Sequence, residues 1–212
     1  MKVSVGVNAK NKNDFLDQLK KAEFFLPVGA NLHIDISKKN FSSINSFFDF
    51  KILKKYSHRF NLEGHLMLSK KDVLDKKWFL SPLKVLFIHS SISPDWEKIF
   101  QLAKKYKKEI GVVIDFDDNP NKIFIPKGAK KLLVLAVIPG KSGQKFHLKT
   151  LKIICFLRKK YPRAIISVDG GISPQIIKQL KLKRMGVNGV VSSSYIWDAE
   201  NPAGQYEDLR RI

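Results

Sequence analysis

Hydrophobic and polar positions follow two alternating periods along the whole chain. Short runs rich in Val, Ile, Leu and Phe have the length and composition of β-strands. Between them, longer stretches carry apolar residues three and four positions apart, the spacing of one helix face. The predicted strands cover residues 2–7, 31–36, 62–68, 84–89, 110–116, 131–138, 164–169 and 189–193.

Helical spacing is clearest at residues 14–25, 95–106, 147–161 and 174–182. Two pairs, Ser93-Pro94 and Ser173-Pro174, have the pattern of an N-cap followed by proline at the first helical position. Strands that alternate with helices predict a parallel sheet, and eight such units predict a closed (β/α)8 barrel, the TIM barrel. A doubly wound open sheet is the alternative, because counting elements does not establish closure. With no linker in the sequence, we predict one domain over residues 1–212.

The second predicted strand contains the stretch "LHIDIS", in which titratable residues interrupt an apolar run. His33 and Asp35 are two positions apart, so their side chains point to the same side of the strand. A buried carboxylate without a partner is costly, and Asp35 therefore needs a hydrogen bond, an ion pair or a bound cation. A purely structural hydrogen bond between the two side chains is the alternative to a functional site.

Further titratable residues lie at the ends of other predicted strands. His65 lies in the third strand, and Asp169 ends the seventh. The C-terminal ends of the strands form the active-site face of a (β/α)8 barrel. Two imidazoles and two carboxylates suit one divalent transition metal per chain, zinc first, with Fe(II) or Mn(II) as alternatives. We therefore predict a metal site made of His33, Asp35, His65 and Asp169.

Glycine-rich turns follow the sixth and seventh predicted strands, as "PGKSGQ" and "DGGIS". Glycine lets backbone N–H groups come close to an anion beside the start of a helix. Serines follow the eighth strand, which completes the corner where such barrels bind phosphate. The predicted phosphate-binding residues are Gly140, Lys141, Ser142, Gly143, Gln144, Gly170, Gly171, Ser193 and Ser194.

These motifs resemble those of the ribulose-phosphate 3-epimerase family. The chain has the family's His-x-Asp in "LHIDIS", its His-Leu-Met in "GHLML", its long loop in "LAVIPGKSGQKF" and its Val-Asp-Gly-Gly turn in "ISVDGGISPQII". The resemblance covers most of the chain, in the family's order and spacing. It implies an isomerase that inverts C3 of a phosphorylated ketose, converting D-ribulose 5-phosphate to D-xylulose 5-phosphate.

The resemblance also implies the roles of the site residues. His33, Asp35, His65 and Asp169 would bind the metal, while Asp35 and Asp169 would also act as the acid–base pair on opposite faces of the substrate. Removing a proton from one face and returning one to the other requires two such groups. The Asp-x-Lys-x-x-Asp pattern of related phosphosugar decarboxylases is absent from the third strand, which reads "LEGHLM". A homo-oligomer, either a dimer or a hexamer, is expected by resemblance.

The substrate pocket departs from the family pattern. Asn8 takes the place of a substrate-contacting serine, and Ser193 stands where glycine is usual. Met67 resembles a family methionine that packs over the site, with simple core packing as the alternative. His89 ends the fourth strand, as a histidine does in the family, and we expect a supporting or structural role for it. These departures leave two alternatives open, a hexulose-6-phosphate 3-epimerase and a degenerate barrel that binds anions or RNA without turnover.

The net charge of +20 is the strongest compositional signal. Only six of the 39 basic residues are arginine, the residue suited to bidentate phosphate and base contacts, so a nucleic-acid partner is disfavoured but not excluded. No apolar run approaches the roughly 18 residues of a membrane span, and no secretory signal begins the chain. Cys155 is the single cysteine, which we interpret as a packed, inert thiol in a cytoplasmic protein. Asp115, Asp117 and Asp118 precede Asn119-Pro120 and are interpreted as turn residues.

Overall fold

The computed structural model describes residues 1–42, 45–140 and 143–212. Eight parallel strands pair in chain order and the last pairs with the first, which closes the barrel. The predicted TIM barrel is therefore confirmed, and the open sheet is excluded. The strands are β1 (Lys2–Val7), β2 (Asn31–Ser37), β3 (Asn61–Met67), β4 (Val85–His89), β5 (Glu109–Ile114), β6 (Lys131–Leu135), β7 (Ile165–Asp169) and β8 (Gly189–Ser192).

Helices surround the barrel, and short 3-10 turns lie at Asp72–Leu74, Ser90–Ile92 and Pro120–Lys122. Each of the four predicted helices is present, although two are shorter than predicted by several residues. The helices of the described residues are α1 (Lys12–Phe25), α2 (Phe50–Tyr56), α3 (Lys76–Leu80), α4 (Trp96–Lys105), α5 (Thr150–Lys160), α6 (Pro174–Gln179), α7 (Ser194–Trp197) and α8 (Pro202–Arg210).

One of the two predicted serine caps is wrong. Ser173 caps α6 as predicted, since its hydroxyl accepts from the N–H of Ile176 at 3.3 Å. Ser93 instead has a left-handed backbone (φ 44°) that ends the 3-10 turn before it. The helix α4 consequently begins later, where the carboxylate of Asp95 accepts from the N–H of Lys98 at 3.0 Å.

Residues of β2 alternate between two buried environments. Leu32, Ile34 and Ile36 have no exposed surface and belong to the layer between the strands and the helices. His33 and Asp35 alternate with them and therefore point into the barrel. Apolar side chains of β4, β5, β6 and β8 form a separate buried cluster, made of Val85, Phe87, Val113, Leu133, Leu135 and Val191.

Basic residues bind carbonyl groups at the face where the strands begin. Arg59 donates to the carbonyls of Glu23 and Leu26 at 2.7 and 2.9 Å. Lys108 donates to two carbonyls at 2.6 Å, and Arg158 donates to three more. The last carbonyls of a helix lack partners within it, so Arg59 stabilises the end of α1. Lys108 and Arg158 bind mostly carbonyls of the loops that lead into the strands. Part of the positive charge thus has a structural role.

Cys155 is exposed, contrary to the prediction of a packed thiol. The buried side of α5 is formed by Ile153, Ile154 and Leu157. Cys155 lies two positions after Ile153, a spacing that turns it to the solvent side of the helix. Among the described residues, no helix is both long and apolar enough to cross a membrane.

Candidate active site

The strands β2, β3 and β7 bring together four side chains, here named the ligand cluster. One ligand atom from each lies within 4.8 Å of every other. The Nδ1 of His65 is 3.2 Å from Oδ1 of Asp35 and 3.9 Å from Oδ2 of Asp169. Barrel register explains the contact, because Asp35 and His65 are direct neighbours across β2 and β3. The ligand cluster consists of His33, Asp35, His65 and Asp169.

The chemistry of the ligand cluster fits a divalent metal ion. His33 is fully buried, yet its Nε2 has no hydrogen-bond partner in the described part of the chain and lies 3.9 Å from Oδ1 of Asp35. A buried polar atom normally has a partner, so this lone pair is available to a ligand. Ligand atoms around a tetrahedral zinc at about 2.1 Å lie about 3.4 Å apart, close to the separations observed. The cluster can therefore hold one metal ion.

Burial and mutual charge perturb the ionisation of the cluster. Burial, together with the charge of Asp35, raises the pKa of Asp169 to about 6. For His33, burial lowers the pKa, but the carboxylates of Glu63, Asp169 and Asp35 outweigh it and the net shift is upward. Two carboxylates this close resist simultaneous ionisation, and a bound cation would relieve that repulsion.

Glu63 contacts the ring nitrogen of His33 that faces away from the ligand cluster. This contact was not predicted from the sequence. The Oε2 of Glu63 is 3.5 Å from this nitrogen, Nδ1. Ser4 and Asn31 donate to the Glu63 carboxylate at 3.0 and 3.3 Å. Such a carboxylate favours the proton on Nδ1 and leaves Nε2 free. The signal was present in the sequence, because Glu63 precedes His65 by two positions and shares its face.

His89 lies beside the cluster and supports His65. The Nε2 atoms of the two rings are 2.9 Å apart, and the ring planes differ by 15°. Asp115 follows β5, and its Oδ2 is 3.6 Å from Nδ1 of His89. Burial lowers the pKa of His89 more than the Asp115 carboxylate raises it, so the ring is neutral near pH 7.

The interpretation of Asp115 as a turn residue is wrong for its side chain. The turn is made by the carboxylate of Asp118, which accepts from the N–H of Asp115 at 3.0 Å. This leaves the Asp115 carboxylate directed at His89, and the hydroxyl of Ser91 lies 3.4 Å from its Oδ2. Sequence position could not separate the two roles, since both residues follow the same strand.

A cleft opens above the ligand cluster. It brings together nearly all the described residues that were predicted for the site. His33 and His89 lie beneath it and do not line it. The predicted residues that line it are Asn8, Asp35, His65, Met67, Gly140, Gly143, Gln144, Asp169, Gly170, Gly171, Ser193 and Ser194.

Apolar residues of the cleft escaped the sequence analysis because nothing in their pattern distinguishes them from core. They complete the walls after β6, β7 and β8. The additional apolar lining residues are Leu135, Val137, Pro139, Ile172 and Val191, and Ser192, the first of the three consecutive serines at the end of the eighth strand, also lines the cleft.

The turn after β7 requires glycine at both of its positions. Gly170 and Gly171 have φ of 100° and 63°, which side chains rarely adopt. A Cβ on Gly170 would lie 2.4 Å from the side chain of Val137, and one on Gly171 would lie 2.3 Å from the backbone nitrogen of Phe146. The glycines thus allow the loop after β6 to pack directly on this turn.

The loop after β6 is described only in part. Lys141 and Ser142, two predicted phosphate ligands, lie outside the described residues. Gln144 lines the cleft, and its amide donates to the carbonyl of Ile138 at 2.7 Å, a bond within the loop itself.

Comparisons with known proteins agree with the motifs. Residues 8–197 match the Ribulose-phosphate 3 epimerase family. The cytoplasmic isoform of ribulose-phosphate 3-epimerase from Oryza sativa subsp. japonica is 28% identical over 207 residues, covering 94% of this chain and 90% of the relative. Ribulose-phosphate 3-epimerase from Schizosaccharomyces pombe is 25% identical over 204 residues, covering 93% and 88%.

Solved structures give the same barrel. The 3-hexulose-6-phosphate synthase of Salmonella typhimurium superposes with a TM-score of 0.70 at 18% identity, covering all of this chain and 97% of that one. Identity this low shows the fold alone. The family match extends over nearly the whole chain and includes all three strands that carry the ligand cluster, β2, β3 and β7. The chain therefore belongs to the ribulose-phosphate 3-epimerase family of isomerases, as its motifs predicted.

Proposed function

We propose that the protein interconverts D-ribulose 5-phosphate and D-xylulose 5-phosphate by inversion at C3, with one divalent metal ion bound by the ligand cluster. The observation that carries the proposal is the convergence of two carboxylates and two imidazoles, within 4.8 Å of one another, at the floor of the cleft. Zinc is the proposed metal, with Fe(II) or Mn(II) as alternatives.

The two carboxylates are well placed for a two-base reaction. Asp35 belongs to β2 and Asp169 to β7, and β1 and β8 separate these strands around the barrel. The carboxylates therefore reach the cleft from different sides. One takes the proton from C3, and the other delivers a proton to the opposite face of the resulting enediolate, which inverts the centre. A divalent ion in the cluster would offset the negative charge that develops on the substrate oxygens.

The phosphate end of the substrate would bind on the other side of the cleft. Gly170 and Gly171 bring backbone close to the cleft, and Ser193 and Ser194 line it at the start of α7. Backbone N–H groups at such positions lack helical partners and suit an anion. Gly140, Lys141, Ser142, Gly143 and Gln144 are proposed to complete the site from the loop after β6.

The remaining pocket residues are assigned supporting contacts. Met67 is buried and lines the cleft, where it gives an apolar surface beside the sugar carbons. Asn8 offers a polar contact at the end of β1. We further propose a homo-oligomer in the cytoplasm; the location is supported by the rice relative, which is named a cytoplasmic isoform.

Hydrogen exchange at C3 tests the proposed reaction. The purified protein, loaded in turn with Zn(II), Fe(II) or Mn(II), is mixed with D-ribulose 5-phosphate in heavy water, and deuterium entry at C3 is followed by NMR. We expect exchange and xylulose 5-phosphate in the wild type. Asp35→Asn and Asp169→Asn should each reduce conversion to xylulose 5-phosphate by at least about 100-fold, the usual contribution of a general base.

Asp117→Asn is the matched control, since it removes the same charge from an exposed residue outside the cleft. Near-normal conversion to xylulose 5-phosphate in either cluster variant would contradict the two-base mechanism. Faster exchange with a hexulose 6-phosphate would assign the larger substrate. Absence of exchange with every metal, together with salt-sensitive RNA binding, would favour the degenerate barrel.

A further inference from the structure

We propose that Asp72 is a positioning residue, which anchors the loop after β2 across the mouth of the barrel and thereby supports the phosphate side of the cleft. The segment concerned, residues 38–42, is here named the crossing loop. The inference rests on the proposed function, because this support matters only if the cleft binds a sugar phosphate. Asp72 does not line the cleft and acts through the crossing loop.

The carboxylate of Asp72 accepts two hydrogen bonds from the crossing loop. The ammonium group of Lys38 donates to Oδ1 at 2.9 Å, and the side-chain amide of Asn40 donates to Oδ2 at 3.0 Å. Asp72 begins the 3-10 turn after β3, so both bonds join segments that follow neighbouring strands. Hydrogen bonds to an ionised group are stronger than neutral ones, which makes this carboxylate an effective anchor.

Asp72 is itself fixed by bonds within its own segment. The hydroxyl of Ser69 donates to its Oδ2 at 2.8 Å, and the indole of Trp78 donates to its carbonyl at 2.7 Å. Trp78 is fully buried, and its ring packs against Phe48 and Phe50 with centroids 5.6 and 5.7 Å apart. A carboxylate held in this way restricts where the crossing loop can lie.

Backbone hydrogen bonds connect the anchored end of the crossing loop to its far end. The N–H groups of Phe41 and Ser42 donate to the carbonyl of Lys38 at 2.9 and 3.1 Å. The N–H of Lys38 donates to the carbonyl of Met67 at 3.3 Å, which ties the loop to the end of β3. Holding Lys38 at Asp72 therefore also fixes the direction of Phe41 and Ser42.

The far end of the crossing loop reaches the opposite side of the barrel. Between β2 and β6 lie β3, β4 and β5 in one direction, and β7, β8 and β1 in the other. Ser42 nevertheless packs against the loop after β6, since a Cβ on Gly140 would lie 2.9 Å from its Oγ. The crossing loop therefore spans the mouth and abuts the loop that is proposed to bind phosphate.

The crossing loop also limits the cleft on one side. The residues that line the cleft come from β1, β2, β3, β6, β7 and β8 and the segments after them, and none of the described lining residues comes from β4 or β5. The ring of Phe41 covers the end of β4, where it packs on His89 with centroids 4.5 Å apart. Loss of the anchor should therefore weaken binding more than chemistry, because Asp35 and Asp169 are held by strands.

Kinetics of Asp72→Asn in the zinc-loaded protein give the first readout. Asparagine keeps the shape of the side chain but offers one acceptor oxygen instead of two, so one bond to the crossing loop is lost. We expect KM for D-ribulose 5-phosphate to rise at least about fivefold, the effect of about one hydrogen bond, while kcat stays within about twofold of wild type. Inorganic phosphate, titrated by calorimetry, should bind about fivefold more weakly, which decides the same point if the wild type shows no turnover.

Asp75→Asn is the matched control for both measurements. Asp75 lies close by in the same segment, where its carboxylate accepts from the N–H of Lys77 at 2.9 Å and pairs with the ammonium group of Lys77 at 3.1 Å. The substitution removes the same charge and a similar ion pair. We expect wild-type KM and phosphate affinity in this variant.

Amide hydrogen exchange followed by NMR is the second readout and needs no turnover. The N–H groups of Phe41 and Ser42 should exchange at least about tenfold faster in Asp72→Asn than in Asp75→Asn, because the crossing loop opens more often without its anchor. Circular dichroism verifies that the variants are folded. If Asp72→Asn does not fold, Lys38→Met removes one anchoring bond from the other partner and takes its place in both measurements.

Two results would overturn the proposal. One is exchange of the Phe41 and Ser42 amides at the same rate in Asp72→Asn and Asp75→Asn. The other is a KM, or a phosphate affinity where there is no turnover, that agrees within about twofold between these two variants. The amide rates and phosphate affinities can follow the prediction while C3 inversion fails, and that result would contradict the proposed function alone.

Discussion

Replacing Asp169 with asparagine tests the electrostatics of the ligand cluster. Asp169 lies beside Asp35 with 19% of its side chain exposed. Partial burial and the charge of Asp35 together raise its pKa from 3.8 to about 6. The substitution removes a charge that the metal-free fold tolerates poorly. We therefore expect Asp169→Asn to stabilise the metal-free protein while it removes activity.

The size of the effect follows from the pKa. Each pKa unit corresponds to 1.36 kcal/mol, so the ionised Asp169 costs the metal-free fold about 3 kcal/mol at high pH. Gly170 donates its N–H to this carboxylate, and part of that bond would be lost with asparagine. A net gain of about 1 to 3 kcal/mol is expected, in contrast to the usual loss for a buried substitution.

The pH dependence separates this cause from general repacking. A raised carboxyl pKa means that the folded state holds its proton longer than the unfolded state, so stability falls as the pH rises from about 4 to about 6. Above that window the full penalty is present, and below it there is none. Urea unfolding with a chelator should therefore show a gain for Asp169→Asn at about pH 8 and little difference at about pH 4.

Asp117→Asn serves as the control, because it removes the same charge from an exposed position outside the cleft. Zinc should reverse the order, stabilising the wild type more than the variant. A variant less stable than wild type at about pH 8 without metal, or equally shifted at both pH values, would refute the reasoning.

Three further predictions concern metal binding and support of the site. Zinc affinity should weaken at least about tenfold per pH unit below about 6, since the Asp169 proton competes with the ion; equal affinities in competition titrations at about pH 5 and 7.5 would contradict this. Glu63→Gln should destabilise the fold by about 1 to 3 kcal/mol at neutral pH. Burial raises the pKa of Glu63, but the contact with His33 outweighs burial and lowers this pKa below 4.5. The urea midpoint of the variant should therefore approach that of the wild type as the pH falls below 4.5. A loss of stability that does not change with pH would argue against the contact. Gly171→Ala should cost more stability and substrate affinity than Gly29→Ala, since both have positive φ but only the first meets Phe146; equal losses would count against the close packing.

Periodicity predicted the barrel because buried parallel strands and amphipathic helices leave distinct patterns. The stretch around His33 was informative for the same reason, since only an inward-facing position could place charged residues inside an apolar strand. Asp35 and His65 were expected to meet on the strength of fold geometry, and their neighbouring register in β2 and β3 bears this out. The ligand cluster could be predicted from the sequence because the C-terminal ends of the strands meet at one face of the barrel.

Contacts that depend on the exact strand register and side-chain rotamer could not be predicted from the sequence. Glu63 lies on the right face, but its reach to His33 requires the paired positions of β2 and β3. Asp115 and Asp118 have the same local signal, and only the turn geometry assigns one to backbone and the other to His89. The prediction that Cys155 is packed was wrong because apolar residues are found on more than one face of α5. The sequence pattern alone therefore did not show that Cys155 lies on the solvent side.

Anomalous diffraction from zinc-loaded crystals would test the central claim most directly. The account predicts one zinc peak at the floor of the cleft, about 2.0 to 2.2 Å from Nε2 of His33, Nδ1 of His65 and carboxylate oxygens of Asp35 and Asp169. A zinc peak elsewhere, or one that contacts only one or two of these side chains, would contradict it.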